Sequence, residues 1–214
     1  MKKSGLIIIS VDKREVMMFA DVEKKIKKKN KILFTRDSQC LKGLRALICE
    51  QEHLTLVLWA LDCLQIPLAE LVAKYPQEVD LQQAYDLSLA WAHGEIKMPV
   101  AKRAILNCHA VAKRIQDDGD IALCHAIGQG CSTVHVETHA LGLVVYELTA
   151  IVICCGYGNY EEGVLAKIEF YREKLQWWQD NVSKYRETES WASFLIRADK
   201  VNKEKLLMAK EQKQ

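Results

Sequence analysis

This chain has few prolines, a small net charge and no long apolar run, and each of these features excludes a class of protein. The 214 residues include three prolines and ten glycines, which excludes collagen-like and low-complexity proteins. Half of the residues are hydrophobic and the formal net charge is only +2, so the chain is not intrinsically disordered. No uninterrupted apolar run approaches the roughly 18 residues that span a bilayer; the longest candidate, Leu141–Cys155, contains Gly142 and Glu147. A chain of this length therefore has enough material for a sizeable core.

The amino terminus only briefly imitates a signal peptide. Lys2 and Lys3 precede the apolar stretch Leu6–Ile9, which is too short for export and runs directly into charged residues. We therefore expect a cytoplasmic protein. Its eight cysteines lie in apolar helical segments, so we expect them to be reduced and mostly buried.

Apolar residues recur at spacings of three and four along most of the chain, which is the period of an amphipathic helix. This pattern predicts helices over 38–50, 52–64, 80–93 and 99–117, from Thr138 to Ile153, from Asn159 to about Asn181, and from near Thr188 or Ser190 onward. Asp80 with Gln83, and Asn159 with Glu162, have the spacing of a capping box at a helix N-terminus. No proline follows Pro99, so nothing forbids helix in the second half.

These segments predict an all-α fold, a compact bundle of packed helical hairpins with about eight helices. Strand signals are confined to the beginning, where Leu6–Ile9 and Lys31–Phe34 predict a short β hairpin or edge pair. We divide the chain into an N-terminal extension (1–37), a helical core (38–158) and C-terminal helices that pack on the core and end in a frayed tail (159–214). A solenoid of helical pairs with a period of about 40 residues is the alternative architecture.

Histidines are the first candidates for chemistry. All six lie between His53 and His139, and the densest group is His125, His135 and His139, which makes these three the candidate metal ligands. The string His135-Val-Glu-Thr-His139 is not a zinc-protease motif, because Glu137 lies about 200° around a helix from the first histidine. The alternative, which we favour, is that the histidines make structural polar contacts between small-residue helices and need no metal or cofactor.

Glu147 is a single carboxylate in an otherwise apolar helix. A buried carboxylate needs a partner, and we expect a histidine or arginine on the side of His139 and Leu143. Together with His109, this residue extends the histidine group into an arrangement that suits acid–base or metal-dependent catalysis inside a bundle. No catalytic motif supports such an enzyme, since the chain has no G-x-S-x-G elbow and no glycine-rich fingerprint after a strand.

The one sharp charge feature is a basic run, Lys24–Lys31. With Phe19, Val22 and Ile26 it predicts a basic amphipathic helix of the kind that can bind membranes or nucleic acid. The run contains six lysines, and subtracting them from the net charge of +2 leaves −4 for the rest of the chain. Outside this run the chain therefore has no net positive charge that would attract a polyanion, and we expect neither a nucleic-acid nor a membrane partner.

Four strings occur in order through the middle of the chain. They are L-V-L-W-A-L-D-C (56–63), A-W-A-H-G-E (90–95), A-K-R-A-I-L-N-C-H-A (101–110) and C-H-A-I-G-Q-G-C-S-T-V-H-V-E-T-H-A-L-G (124–142). Together the ordered set resembles a bacterial family of immunity proteins of polymorphic toxin systems, the fifth numbered immunity family. The resemblance covers about residues 40–155.

This resemblance implies an all-helical cytoplasmic protein that binds and neutralises a cognate toxin domain by protein–protein contact. It implies no catalytic mechanism. The polar positions that match the family pattern are Asp62, Glu95, His109, His125, His135 and His139. These polar residues lie beside aromatic or small residues in the sequence, and such neighbours suit an internal network of polar side chains.

Two other classes of function stay open. One is the enzyme built on the histidine and glutamate cluster, which we favour less than an immunity protein. The other is a helical structural or oligomeric module. The sequence allows a homo-oligomer in every case.

Overall fold

Helices and their connecting turns make up the part of the chain that the computed structural model describes, residues 17–197 and 200–211. The helices in chain order are α1 (Ala20–Lys27), α2 (Lys42–Cys49), α3 (His53–Cys63), α4 (Gln65–Lys74), α5 (Asp80–Ala92), α6 (Met98–Val111), α7 (Asp118–Ser132), α8 (His139–Cys154), α9 (Glu161–Thr188) and α10 (Lys203–Glu211). A 3₁₀ turn, Gln39–Leu41, precedes α2. No strand occurs in these ranges, and the predicted all-α class is confirmed.

Helix α3 is the centre of the bundle because it is apolar on every side. Ten of its eleven residues are buried, all except Asp62. A helix without a polar face must be surrounded by other helices, and α3 packs against α9, α7 and α8. Trp59 ties it to α9 by donating its indole N–H to the carbonyl oxygen of Tyr171 at 3.0 Å. The buried apolar side chains form one continuous cluster from Phe19 to Leu195, which is the packing of a bundle rather than of a solenoid.

The stretch His53–Lys74, which contains α3 and α4, is long and apolar enough by length and composition to cross a membrane. Most of it is buried against other helices, and its position at the centre of the core accounts for its hydropathy. Polar residues such as Asp62 interrupt it, which is why no single apolar run reveals it in the sequence.

Helix α7 approaches its neighbours closely because it carries glycine at the contacts. A Cβ on Gly130 would lie 2.6 Å from Leu64 Cδ2. On α8, a Cβ on Gly142 would overlap the side-chain amide of Gln129. Gly130 and Gly142 therefore serve close packing of the helices.

Two predicted helix ends differ because an aspartate makes another contact. Asp80 is the first residue of α5 but does not cap it, and its carboxylate instead accepts a hydrogen bond from Arg114 at 2.7 Å. Helix α6 ends at Val111 rather than near residue 117. Asp117 caps α7, its carboxylate accepting the backbone N–H of Asp120 at 2.9 Å.

The C-terminal part differs more from the prediction. Thr188 ends α9 rather than beginning the last helix. Asn159 does not cap α9; its φ of 51° places it in the left-handed turn before that helix. Trp191 and Leu195 are buried as expected, but they lie outside any helix, and the last helix is α10. Residues 212–214 lie outside the described residues, so a frayed end stays a prediction.

The predicted β segment is wrong where the structure describes it. Lys31–Phe34 belongs to no strand. The N–H of Leu33 donates to the hydroxyl of Thr149 on α8 at 3.2 Å, so a side chain takes the place of a strand partner. Leu6–Ile9, the other half of the predicted pair, lies outside the described residues.

Replacing Gly130 by alanine should lower the free energy of unfolding by about 1–3 kcal/mol, because the added methyl group overfills a packed contact. The matched control is Gly163→Ala on α9, where the nearest atom, Ile151 Cγ2, is 3.5 Å from the new Cβ. That change removes the cost of a helical glycine and should raise the free energy of unfolding by up to about 1 kcal/mol. Urea unfolding followed by circular dichroism measures both. Equal effects at the two positions would contradict the packing role.

Candidate functional site: a cleft beside a histidine pair

A cleft opens where the C-terminal end of α1 meets α6, α7 and α8. Its volume is about 880 Å³, within the range of pockets that hold ligands. The residues that line it are Ile26, Lys29, Asn30, Lys31, Ile32, His109, Ala112, Lys113, Asp118, Ile121, Ala122, His125, Tyr146, Ile153 and Tyr157. Apolar side chains, exposed lysines, two histidines and two tyrosines therefore share one concave surface.

Two histidines from adjacent helices meet in the wall of this cleft. Nδ1 of His109 on α6 lies 3.0 Å from Nδ1 of His125 on α7. Two neutral rings make this hydrogen bond only when one carries its proton on Nδ1 and the other on Nε2. The ring of His125 also packs against Tyr146, with 5.1 Å between the ring centroids. The pair is thus a neutral hydrogen-bonded unit supported by an aromatic ring.

Gly128 makes room for the pair. A Cβ at this position would lie 2.5 Å from Cε1 of His109, so the imidazole occupies the space that any larger residue would fill. Gly128, the first residue of the string G-Q-G (128–130), therefore accommodates a histidine ring.

Burial keeps the histidine rings neutral. Burial, together with the nearby His125 and His139, lowers the pKa of His109 to about 4. Burial also lowers the pKa of His125 and, with the nearby His135, the pKa of His139. Because a group with a pKa near 4 is a weak general base at neutral pH, the pair is better suited to hydrogen bonding than to proton transfer.

The three candidate metal ligands have three separate partners. His125 contacts His109, and His139 contacts Oε1 of Gln129 through Nδ1 at 2.7 Å. His135 is exposed after α7 and stacks on Trp91, with 6.1 Å between centroids. Within residues 17–197 and 200–211, no three His, Cys, Asp or Glu side chains form a group that could hold a metal ion.

Glu147 is buried, but its partners are neither histidine nor arginine. Its carboxylate lies 2.5 Å from Nζ of Lys167 and accepts a hydrogen bond from the hydroxyl of Tyr171, both on α9. Burial raises the pKa of Glu147, and the Lys167 ammonium opposes that rise. The predicted partner is wrong because α9, which packs across this side of α8, supplies the polar groups. Glu147 therefore faces α9, whereas its neighbour Tyr146 faces the cleft.

The two family-matching carboxylates have different environments. Oδ2 of Asp62 accepts the indole N–H of Trp178 at 2.9 Å and lies 3.0 Å from Nζ of Lys174. Glu95 is exposed, directly after Gly94, whose φ of 79° helps end α5. Asp62 therefore belongs to an internal polar contact as expected, and Glu95 lies on the surface.

The sequence interpretation missed a second buried polar cluster, formed by His53, Glu137 and Lys200. His53 contacts the carbonyl oxygen of Thr133 through Nε2 at 2.8 Å and Nζ of Lys200 through Nδ1 at 2.9 Å. Nζ of Lys200 also lies 3.1 Å from Oε1 of Glu137. Burial acts to raise the pKa of Glu137. A hydrogen bond from its own backbone and the charges of His53 and Lys200 outweigh burial, so the pKa is lowered. Helical spacing could not have revealed this cluster, because His135 and Glu137 lie in the turns between α7 and α8 and Lys200 lies far away in the sequence.

The fold and the cleft together define a helical bundle with a concave surface. A comparison with known families identifies the family within this class. The family described as "Imm-5 like putative immunity protein" matches residues 46–177. The match covers more than half of the chain, so the chain belongs to this family of immunity proteins. The match contains both histidines of the pair and continues into α9, beyond the four strings that carry the resemblance. Searches of curated proteins and of solved structures found no match.

Lowering the pH from 7 to 5 should reduce the free energy of unfolding. The pKa of His109 in the folded protein, about 4, lies below its ordinary value of 6.5. Between these values the unfolded chain binds more protons than the folded chain, so stability is lost as the pH falls. One such ring contributes a slope of up to about 1.4 kcal/mol per pH unit.

Urea unfolding at several pH values measures this slope, and His109→Gln should make it shallower. The matched control is His93→Gln, because His93 stacks on Trp191 away from the pair. An identical slope in the two variants would contradict the role of His109.

Replacing Lys167 by methionine should lower the free energy of unfolding by about 3–5 kcal/mol, because it leaves a buried carboxylate without its cation. Glu147→Gln keeps an acceptor for Tyr171 and should cost about 1–3 kcal/mol. The double variant should be more stable than Lys167→Met alone, since the charge is then gone. Chemical denaturation of the three variants measures the coupling, and strictly additive losses would count against the pair.

Proposed function

We propose that this chain binds a cognate toxin protein and neutralises it by direct protein–protein contact. The observation that carries the proposal is the family match over residues 46–177, which includes α6, α7 and α8, the helices that supply most of the cleft. An immunity protein of this kind needs a surface that its toxin recognises, and a concave surface with apolar walls and a few polar groups suits recognition.

The arrangement of polar groups supports contact rather than catalysis. The histidine pair is neutral and its two Nδ1 atoms contact each other. Glu147, which an acid–base mechanism would require beside the histidines, contacts Lys167 and Tyr171 instead. The histidines and the carboxylate thus have separate structural roles, and the binding interpretation needs no further group.

We propose that the chain acts in the cytoplasm. All eight cysteines are free, and five of them are buried in the helical core. Free thiols persist in the reducing cytosol, whereas exported proteins tend to pair their cysteines.

The test uses a toxin domain encoded by a gene adjacent to the gene of this chain. Co-expression of this chain with that domain should restore the growth of a reporter bacterium that the toxin alone inhibits. The same two purified proteins should form a stable complex in size-exclusion chromatography with light scattering, because neutralisation by contact requires a lasting complex. A toxin domain encoded elsewhere in the same genome is the specificity control. Failure of the adjacent toxin domain to bind, together with no relief of growth inhibition, would overturn the proposed function.

A further inference from the structure

We propose that the cleft between the end of α1 and helices α6, α7 and α8 is the toxin-binding surface, and that it receives an acidic segment of the toxin bearing an apolar or aromatic side chain. This inference rests on the proposed function and adds to it the surface and the chemistry of the partner.

The charge of the cleft favours an acidic partner. Lys29, Lys31 and Lys113 are exposed where they line it, whereas Asp118 is the acidic residue among the described lining. In the described part of the chain, the lysines that form ion pairs are Lys74, Lys167, Lys174, Lys200 and Lys205. Among the described residues the cleft lysines have no such partner, and all three are exposed, so they can meet a partner's carboxylates.

The walls of the cleft favour an apolar side chain beside those carboxylates. Ile32 is 39% exposed, and Ile121 and Ile153 are half-buried at the same surface. Apolar surface in a concave site is released from water when a partner's side chain covers it. The neutral pair of His109 and His125 adds hydrogen-bonding atoms to this wall without adding charge.

Tyr157 is the most specific observation. Its φ is 64°, in the left-handed region that a bulky residue adopts only at a cost in stability. It follows Gly156, and its N–H donates to the carbonyl oxygen of Val152 at 3.0 Å, which closes the end of α8. The side chain is nevertheless 47% exposed at the cleft.

Folding does not require tyrosine at this position, because glycine would adopt the same turn without strain. Strained residues concentrate at binding sites, and exposed tyrosines are frequent among the residues that dominate interface energy. Tyr157 therefore has the features of a contact residue for the partner.

An acidic protein segment fits these observations better than a nucleic acid or an anionic membrane. Outside the basic run the chain carries a formal charge of −4. Asp117 and Asp118 lie exposed at the start of α7, one beside the cleft and one within its lining, and would repel a continuous polyanion. A short acidic segment needs only a few carboxylates to meet the lysines, whereas a continuous polyanion would also run past both aspartates.

The first test reverses charge in the cleft. The variant carries Lys29→Glu, Lys31→Glu and Lys113→Glu, and the matched control carries Lys42→Glu, Lys184→Glu and Lys203→Glu, exposed lysines of α2, α9 and α10. Both triple variants change the net charge of the chain equally. Any change in long-range electrostatic attraction to the toxin is therefore the same in the two variants. The probe is the toxin domain of the co-expression experiment, and titration calorimetry measures its affinity. We expect a loss of at least about tenfold in the cleft variant and a much smaller change in the control.

The second test separates binding from stability. Tyr157→Gly should weaken the toxin complex by at least about tenfold, because it removes the exposed ring. Its melting temperature should not fall, because glycine relieves the left-handed strain. Tyr157→Phe keeps the ring and should keep most of the affinity. A lower melting temperature with unchanged affinity would instead make Tyr157 a purely structural residue.

The outcomes distinguish this inference from the proposed function. If the toxin binds the wild-type chain, the cleft variant and Tyr157→Gly equally well, the cleft assignment is overturned and the immunity function stands. If the toxin does not bind the wild-type chain, both are overturned. If the cleft variant keeps its toxin affinity but loses binding to a DNA duplex or to vesicles containing anionic lipid, the cleft serves another polyanion and the inference is wrong.

Discussion

The close approach of α7 to its neighbours is the constraint on which the rest of the structure depends. Gly128 leaves space for the ring of His109, and Gly130 leaves space for Leu64 at the start of α4. On α8, Gly142 admits the amide of Gln129, whose oxygen contacts His139. A Cβ at any of these glycines would overlap the neighbouring side chain, and at Gly128 it would overlap the ring of His109. One packing requirement therefore shapes both the core and the wall of the cleft.

Helix α9 has a complementary role, because it supplies the polar partners that the apolar centre lacks. Asp62 on α3 and Glu147 on α8 are both satisfied by side chains of this one long helix. The buried carboxylate of Glu147 requires such partners, and placing the partners of both acids on α9 keeps both acids away from the histidines. The cleft is left with neutral rings, apolar walls and exposed lysines, and this combination favours recognition of a partner over catalysis.

The predictions from sequence succeeded for helical periodicity, and two of the failures trace to a partner from another part of the chain. The helical class and the buried Glu147 follow from residue spacing and hydropathy. The capping box at Asp80 failed because Arg114, on the turn after α6, competes for the same carboxylate. The strand at Lys31–Phe34 failed because the hydroxyl of Thr149 accepts the hydrogen bond that a second strand would have accepted. Both of these failures come from a contact between segments that lie far apart in sequence.

The sequence by itself determined the helical fold and the family, because helical periodicity and ordered family strings are properties of neighbouring residues. Only the tertiary structure decided which histidines meet. His125, His135 and His139 are close in the chain but point to different neighbours, whereas His109 and His125 meet because α6 and α7 cross where Gly128 removes the obstacle. The cleft was likewise decided in three dimensions, since α1, which carries part of the basic run, comes to lie beside α6, α7 and α8 only through packing. Side-chain direction on a helix is local, but the element that it faces is set by the assembly of the whole core.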